Sequence, residues 1–230
     1  MLSLWLACAP PSAPVAPTAP PPSYEDQLTR IDAEAARIRA APGDRATRRT
    51  VARRFVLDTL TAELFPAWQG TPWAFSGTTE VPGEGQIACG YFVSTLLRDA
   101  GFDVERVALA QQPSEWIART FVPATHLSRF RRRPVDEAVD HVVAEGEGLY
   151  VVGLDYHVGL LWNDGHTVQM CHSSPYGGAA CEDARAAPAM VSNLHVVGKL
   201  LDDAMIDGWL ADRPFPTYAG TPLATRSRTP

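Results

Sequence analysis

The sequence predicts an α+β domain in which a cysteine-bearing helix packs on an antiparallel sheet, with extra helices before it. Three observations carry this. Apolar residues recur at one-face helical spacing in several segments before residue 101. Three strand-like segments then follow closely, at 149–154, 157–162 and 167–173. Between the last two, Asn163-Asp164-Gly165 is a hairpin turn, because Asn-Asp and Asp-Gly pairs tolerate the positive φ that such turns demand. With 230 residues, 46% hydrophobic and 20% charged, the chain has the length and composition of one ordinary globular domain plus tails. The divisions expected are 1–23 (signal remnant and spacer), 24–66 (N-terminal helices), 67–213 (the main domain) and 214–230 (a disordered tail).

The opening residues MLSLWLACAP form a short apolar run ending in a small residue and Cys8, which resembles the end of a bacterial lipoprotein signal and makes Cys8 the candidate for lipidation. Basic residues do not precede the run, which a mis-assigned start would explain. Residues 9–22 hold seven prolines interleaved with alanine, an extended semi-rigid spacer that would hold a domain off a membrane surface. A cell-envelope location follows from that reading; a cytosolic protein with a disordered tail is the alternative. No stretch approaches the ~18 consecutive apolar residues of a membrane-spanning helix, so any membrane anchoring is by an N-terminal lipid alone.

Ser23 followed by Asp26 is a capping-box signal before Leu28, Ile31, Ala35 and Ile38, and this helix stops at Pro42-Gly43. A second amphipathic stretch carries Val51, Phe55, Leu60 and Leu64 and ends before Pro66. Residues 66–86, rich in Gly, Pro and Thr, read as a loop. From Ile87 the pattern is helical and closes at Gly101. Residues 102–110 alternate as a strand, 113–121 and 134–144 read as helices, 194–201 as a late strand and 204–210 as a short helix. The four arginines between Arg129 and Arg133 read as a solvated turn before Pro134. A net charge of −6 argues against nucleic-acid binding, which rests on neutralising phosphates.

Chemistry concentrates on Cys89, His157 and His172. A cysteine in a helix's first turn meets unsatisfied N–H groups and the positive end of the dipole, which favour thiolate. His157 opens a strand and can serve as its base, and antiparallel pairing returns His172 beside it as the group that orients the imidazole. Asp155, Asp164 and Asn163 are alternatives for that third role. Gln86, three residues before Cys89, is a candidate oxyanion donor together with the Cys89 N–H. Tyr156 is placed with the substrate-contacting residues or the rim, and Gln111, Gln112, Ser114 and Trp116 form a cluster that lines a groove or, for Ser114, caps a helix. A zinc site of Cys89, His157, His172 and Cys171 lacks the close paired spacing of zinc modules.

The segments Ile87-Ala88-Cys89-Gly90-Tyr91-Phe92-Val93, His157-Val158-Gly159-Leu160-Leu161 and Cys171-His172-Ser173 resemble, in order, the motifs of NlpC-type papain-like cysteine peptidases of bacterial cell walls. The resemblance spans residues 71–201 and implies a papain-like core, Cys89 as nucleophile, His157 as general base and acid, His172 as orienting residue, and amide hydrolysis in peptidoglycan stem peptides. Ala88 and Gly90 depart from the family's usual Asp and Ser, and Trp73 stands where its oxyanion tyrosine is expected. On this reading Cys89 is free, while Cys171 and Cys181 form a disulfide in an oxidising compartment or stay as two thiols. The expected protein is a monomer acting on a peptide or peptidoglycan substrate, with no metal or organic cofactor. Its rivals are a transferase or deamidase with the same centre, acting on a protein or lipid amide, and a non-catalytic surface lipoprotein that binds cell-wall peptide or a protein partner.

Overall fold

The computed structural model describes residues 22–220, so Cys8 and most of the proline spacer lie outside the described residues. Helix α1 (Tyr24–Ala40) begins as the capping box requires: the Ser23 side chain accepts from the Asp26 N–H, and the Asp26 carboxylate accepts from the Ser23 N–H at 3.0 Å. Its stripe of Ile31, Ala35 and Ile38 is buried. Helix α2 (Arg45–Asp58), capped by Asp44, follows. The chain does not stop before Pro66 as the sequence suggests. It widens into a π-helical segment, Thr59–Leu64, and continues as α3 (Phe65–Trp68). Proline lacks an N–H and its ring crowds the carbonyl one turn back; the wider turn accommodates it, and burial of Leu60, Leu64, Phe65 and Trp68 holds the continuation in place.

Helix α4 (Cys89–Asp99) starts at the cysteine itself, and Gly101, at φ 89°, turns the chain away after it. The Trp68 indole donates to the Tyr24 hydroxyl at 2.8 Å, and that hydroxyl donates to Asp99 at 2.6 Å, so the N-terminal helices are tied to the far end of α4. The strand expected over 102–110 is absent. Val104 makes a single bridge to Phe215, and the rest is a short helix α5 (Arg106–Ala110) that buries Arg106 and Leu109. Alternation there reflects Phe102 and Val104 packing into the core, not a pleated strand.

Helix α6 (Ser114–Phe121), strand β1 (Ser128–Arg131), helix α7 (Val135–Glu145), strands β2 (Gly148–Leu154), β3 (Val158–Asn163), β4 (Val168–Ser174), β5 (Gly178–Asp183) and β6 (Leu194–Lys199), and helix α8 (Asp203–Leu210) complete the order. The strands form one antiparallel sheet, β1-β6-β2-β3-β4-β5. The fold is therefore α+β. Two of the six strands, β1 and β5, escape the sequence reading. The first overlaps the arginine run expected to be a turn; it is a short edge strand whose charges suit an edge position. The second, Gly-Ala-Ala-Cys-Glu-Asp, has little strand propensity of its own and pairs because β4 supplies the template.

Helix α4 and the N-terminal helices cover one face of the sheet in a single apolar core that includes Ile31, Leu60, Leu96, Val158 and Leu160. A smaller core on the other face gathers Val139, Val142, Tyr150, Leu161 and Met170 beneath α7. Residues 214–220, expected to belong to a disordered tail, lie against the domain. Phe215 packs on Phe102 and Phe121 at ring separations of 5.4 and 5.8 Å, and Tyr218 meets Trp116 edge-on at 5.6 Å. Their proline-rich composition hides two aromatic anchors, which composition alone does not reveal. Among the described residues no helix is long and apolar enough to cross a membrane.

Candidate active site

The approach to Cys89 is fixed by backbone bonds on both sides. Ile87 donates to the Pro72 carbonyl and Ala88 to the Gly77 carbonyl, each at 2.9 Å. From the sheet, the buried Ser173 hydroxyl donates to the Ile87 carbonyl at 2.8 Å, pinning the helix start over the end of β4. Gly90 is small for a local reason: a Cβ there would run into the backbone carbonyl of Ala110 at the end of α5. This close approach of α5 accounts for glycine where the resembled family has serine. Cys89 is partly exposed, and it is the free cysteine among the described residues.

His157 closes the turn between β2 and β3, its carbonyl accepting from the Leu154 N–H at 2.8 Å. His172 reaches it from β4. The register pairs Leu160 with Cys171, which sets His172 across from Gly159. A side chain on Gly159 would lie 2.9 Å from the Met170 methyl and 3.1 Å from the His172 Cβ, so glycine clears the space through which the two imidazoles meet. His157 Nε2 and His172 Nδ1 are 2.7 Å apart, and His172 Nε2 lies 2.9 Å from the Glu182 carboxylate on β5.

That arrangement has a direction. A carboxylate only accepts, so Glu182 requires the proton of His172 on Nε2; His172 Nδ1 is then an acceptor, and His157 must donate to it from Nε2. The lone pair of His157 is thereby left on Nδ1, as a base requires. Glu182 is absent from the sequence reading because its strand is absent from it. The alternatives for the third role serve elsewhere: Asp155 accepts from the Asn193 N–H, Asp164 caps the hairpin turn through the His166 and Thr167 N–H groups, and Asn163 donates to the Val142 and Gly146 carbonyls.

Neither the family models, nor the curated proteins, nor the solved structures include a match to this chain.

Electrostatically the resting pair is neutral. Burial pushes the Cys89 thiol above its ordinary value, and the N–H groups of Val158, Gly90 and Cys89 itself pull the other way without prevailing. The helix start favours thiolate as expected, through the Gly90 and Cys89 N–H groups, but the desolvation of the sulfur exceeds the effect of the donors around it. Burial, and then the adjacent His172, pushes His157 down to about 3. Burial also lowers His172, with Glu182 opposing. Between about 3 and the ordinary 6.5, native His157 binds fewer protons than the unfolded chain, so stability is full above the ordinary value and is lost as pH falls towards about 3. Urea midpoints at pH 7 and pH 4 should differ less in His157→Gln than in the wild-type protein.

Cys89 and His157 both line a cavity of about 950 Å³. Trp73 and Tyr156 line it too, as do Gln111 and Gln112. Gln86 does not. It is exposed, and its carbonyl accepts from the Thr79 N–H at 3.0 Å in a short pairing of 78 with 87 that turns its side chain outward. The donors at the sulfur are the N–H groups of Val158, Gly90 and Cys89, and the Trp73 side chain lines the same cavity. Ser114 does not cap its helix: its hydroxyl donates to the Leu154 carbonyl at 2.6 Å, and Trp116 packs on Tyr218. Cys171 and Cys181, directly opposite each other on β4 and β5 with Cα atoms 4.0 Å apart, are joined in a disulfide, which removes Cys171 from any metal site.

Gly159→Ala tests the clearance between β3 and β4. Crowding of Met170 and the His172 Cβ is expected to destabilise the fold by about 1–3 kcal/mol, read by denaturant titration, and to lower any turnover by more than the unfolded fraction accounts for.

Proposed function

We propose that this chain is a cysteine hydrolase that cleaves an amide bond through a thioester, built on a papain-like core akin to the NlpC-type peptidases. The observation that carries the reading is the directed chain from Glu182 through His172 to His157, which leaves an unprotonated ring nitrogen on a residue lining a cavity that also holds a thiol at a helix start. In the proposed reaction Cys89 Sγ attacks the carbonyl carbon while His157 Nδ1 takes the thiol proton. The imidazolium so formed is balanced by Glu182 acting through His172. The Cys89 N–H, with the Trp73 indole, faces the tetrahedral oxyanion. His157 then hands its proton to the leaving nitrogen as the C–N bond breaks, and a thioester remains. Water adds to that carbonyl with His157 again as base; its hydroxyl stays on the acyl carbon, and its proton passes to the departing sulfur.

Stem peptides of peptidoglycan are the substrates implied by the motif resemblance. Digestion of muropeptides by the full chain, followed by mass analysis, is expected to give pairs of fragments whose masses sum to the parent plus one water for each amide bond cleaved. Intact muropeptides together with an unreactive Cys89 would sink the reading. The same digestion with and without an added amine separates hydrolysis from transfer, since a hydrolase releases the acid in water alone, whereas a transferase turns over its thioester only when the amine is supplied. A second reading, a binding module that keeps the fold, is favoured by one observation: burial holds the thiol protonated at rest. Iodoacetamide labelling discriminates, because a base-assisted thiol alkylates faster than a denatured control at the same pH and an idle buried one alkylates more slowly.

A further inference from the structure

The cavity at Cys89 is bordered by residues that no catalytic step uses. Tyr156 is 99% exposed, Phe75 89%, Val191 89% and Tyr176 67%, and all four line the same space as the thiol. Scattered apolar side chains on a surface are ordinary, but four around one mouth form a rim. Charge at the rim is as informative. Among the described residues lining the cavity there is no lysine or arginine. The one carboxylate, Asp155, already accepts from the Asn193 N–H at 2.8 Å and the Ser192 hydroxyl at 3.2 Å, which fastens the 188–193 loop to the rim. Behind the wall of the cavity, Arg106 sits over the ring of the lining residue Tyr91 and spends its N–H groups on Thr95 and on the Thr78 and Thr79 carbonyls.

An anionic group entering this cavity would leave water without meeting a counter-charge, and it would face Asp155. A flat apolar group, by contrast, would remove the exposed faces of Tyr156, Phe75 and Tyr176 from water and meet them edge-on or offset. Resting on the hydrolase reading above, we propose that the substrate is an uncharged amide carrying an aromatic or similarly bulky apolar group next to the scissile bond, held by the rim of Phe75, Tyr156, Tyr176 and Val191. A stem peptide would then fit only with its carboxylates amidated or held outside the rim. The cavity's volume, about 950 Å³, is that of a site for a small molecule or a short peptide.

The test uses the full chain and three thiol reagents at pH 8: iodoacetamide, N-benzyl iodoacetamide and N-carboxymethyl iodoacetamide. Each forms a bond from Sγ to carbon and expels iodide, with the thiol proton passing to His157 or solvent. Rates at Cys89 are mapped by mass spectrometry and divided by each reagent's rate with glutathione. The normalised benzyl rate should exceed the carboxymethyl rate by about tenfold or more, the scale on which one well-placed apolar group discriminates. In the Tyr156→Ser/Tyr176→Ser double variant this ratio should fall several-fold; being a ratio on one protein, it cancels general changes in thiol reactivity. Equal normalised rates, a faster carboxymethyl reagent, or a ratio untouched by the double variant would overturn the inference and leave the hydrolase reading standing. Failure of all three reagents to alkylate Cys89 would overturn the hydrolase reading, and the substrate inference with it.

Discussion

Replacing Cys89 with alanine is expected to lower turnover by on the order of 10⁴–10⁶, with the far-UV spectrum and urea midpoint nearly unchanged. The side chain is partly exposed at the mouth of a cavity, so its loss opens no large void. His157→Ala should cost almost as much, and the double variant little more than either single one, because in the proposed reaction sulfur and base act as a unit. Additive losses would mean that the imidazole contributes independently of the thiol, for example by holding substrate. The neutral resting pair sharpens this expectation. With the thiol raised by burial and His157 lowered to about 3, no preformed ion pair exists to survive the loss of a partner. Residual alkylation of Cys89 in His157→Ala should therefore rise with pH through the range above the ordinary thiol value, with no plateau near neutrality.

The second large effect is expected at the acid end of the relay. Removing the orienting group of a triad costs up to ~10⁴ in kcat, and His172→Ala removes both that group and its link to Glu182. Glu182→Gln is subtler, since an amide can donate as well as accept. Presenting N–H to His172 Nε2 would move the His172 proton to Nδ1, reverse the bond to His157 and place the His157 proton on the wrong nitrogen. A loss of roughly 10–100-fold in kcat is expected, the scale seen for groups that orient a ligating or reacting histidine from behind, with KM little altered because Glu182 is not among the residues lining the cavity. Glu182→Asp, which keeps the acceptor-only character, should recover part of the rate. An unchanged kcat in Glu182→Gln would show that His172 holds its tautomer without help.

The parts of the fold that were legible are those with local signals. A capping box announced α1, a positive-φ glycine closed α4, and Asn163-Asp164-Gly165 fixed the β3–β4 hairpin and with it the nearness of His172 to His157. What stayed hidden depends on partners distant in sequence. Strand β5 is glycine and alanine followed by Cys-Glu-Asp, and only pairing with β4 makes it a strand. Glu182 went unread with it, although the separation of ten residues between Cys171 and Cys181 held the clue. Once those two are bonded across a hairpin, the next residue falls within reach of His172. Gln86 illustrates the opposite error: nearness in sequence to the nucleophile suggested a donor, whereas the pairing of 78 with 87 points its side chain to solvent. Phe215 and Tyr218 likewise looked unremarkable in a proline-rich tail until the aromatic surfaces of α6 and Phe102 were in place to receive them.

The outermost strand of this sheet is held by more than its hydrogen bonds. A strand of small residues at an edge is free to slip along its neighbour, and a slip of one position would swing every side chain to the opposite face. Here the covalent link at 171 and 181 forbids that movement, and it sits one residue before each of the two groups whose alignment orients the imidazole chain. The bond therefore acts as a registration pin. Cutting it with a mild reductant would leave sulfur 89 chemically intact while releasing the carboxylate that tells the histidines which nitrogen carries the proton.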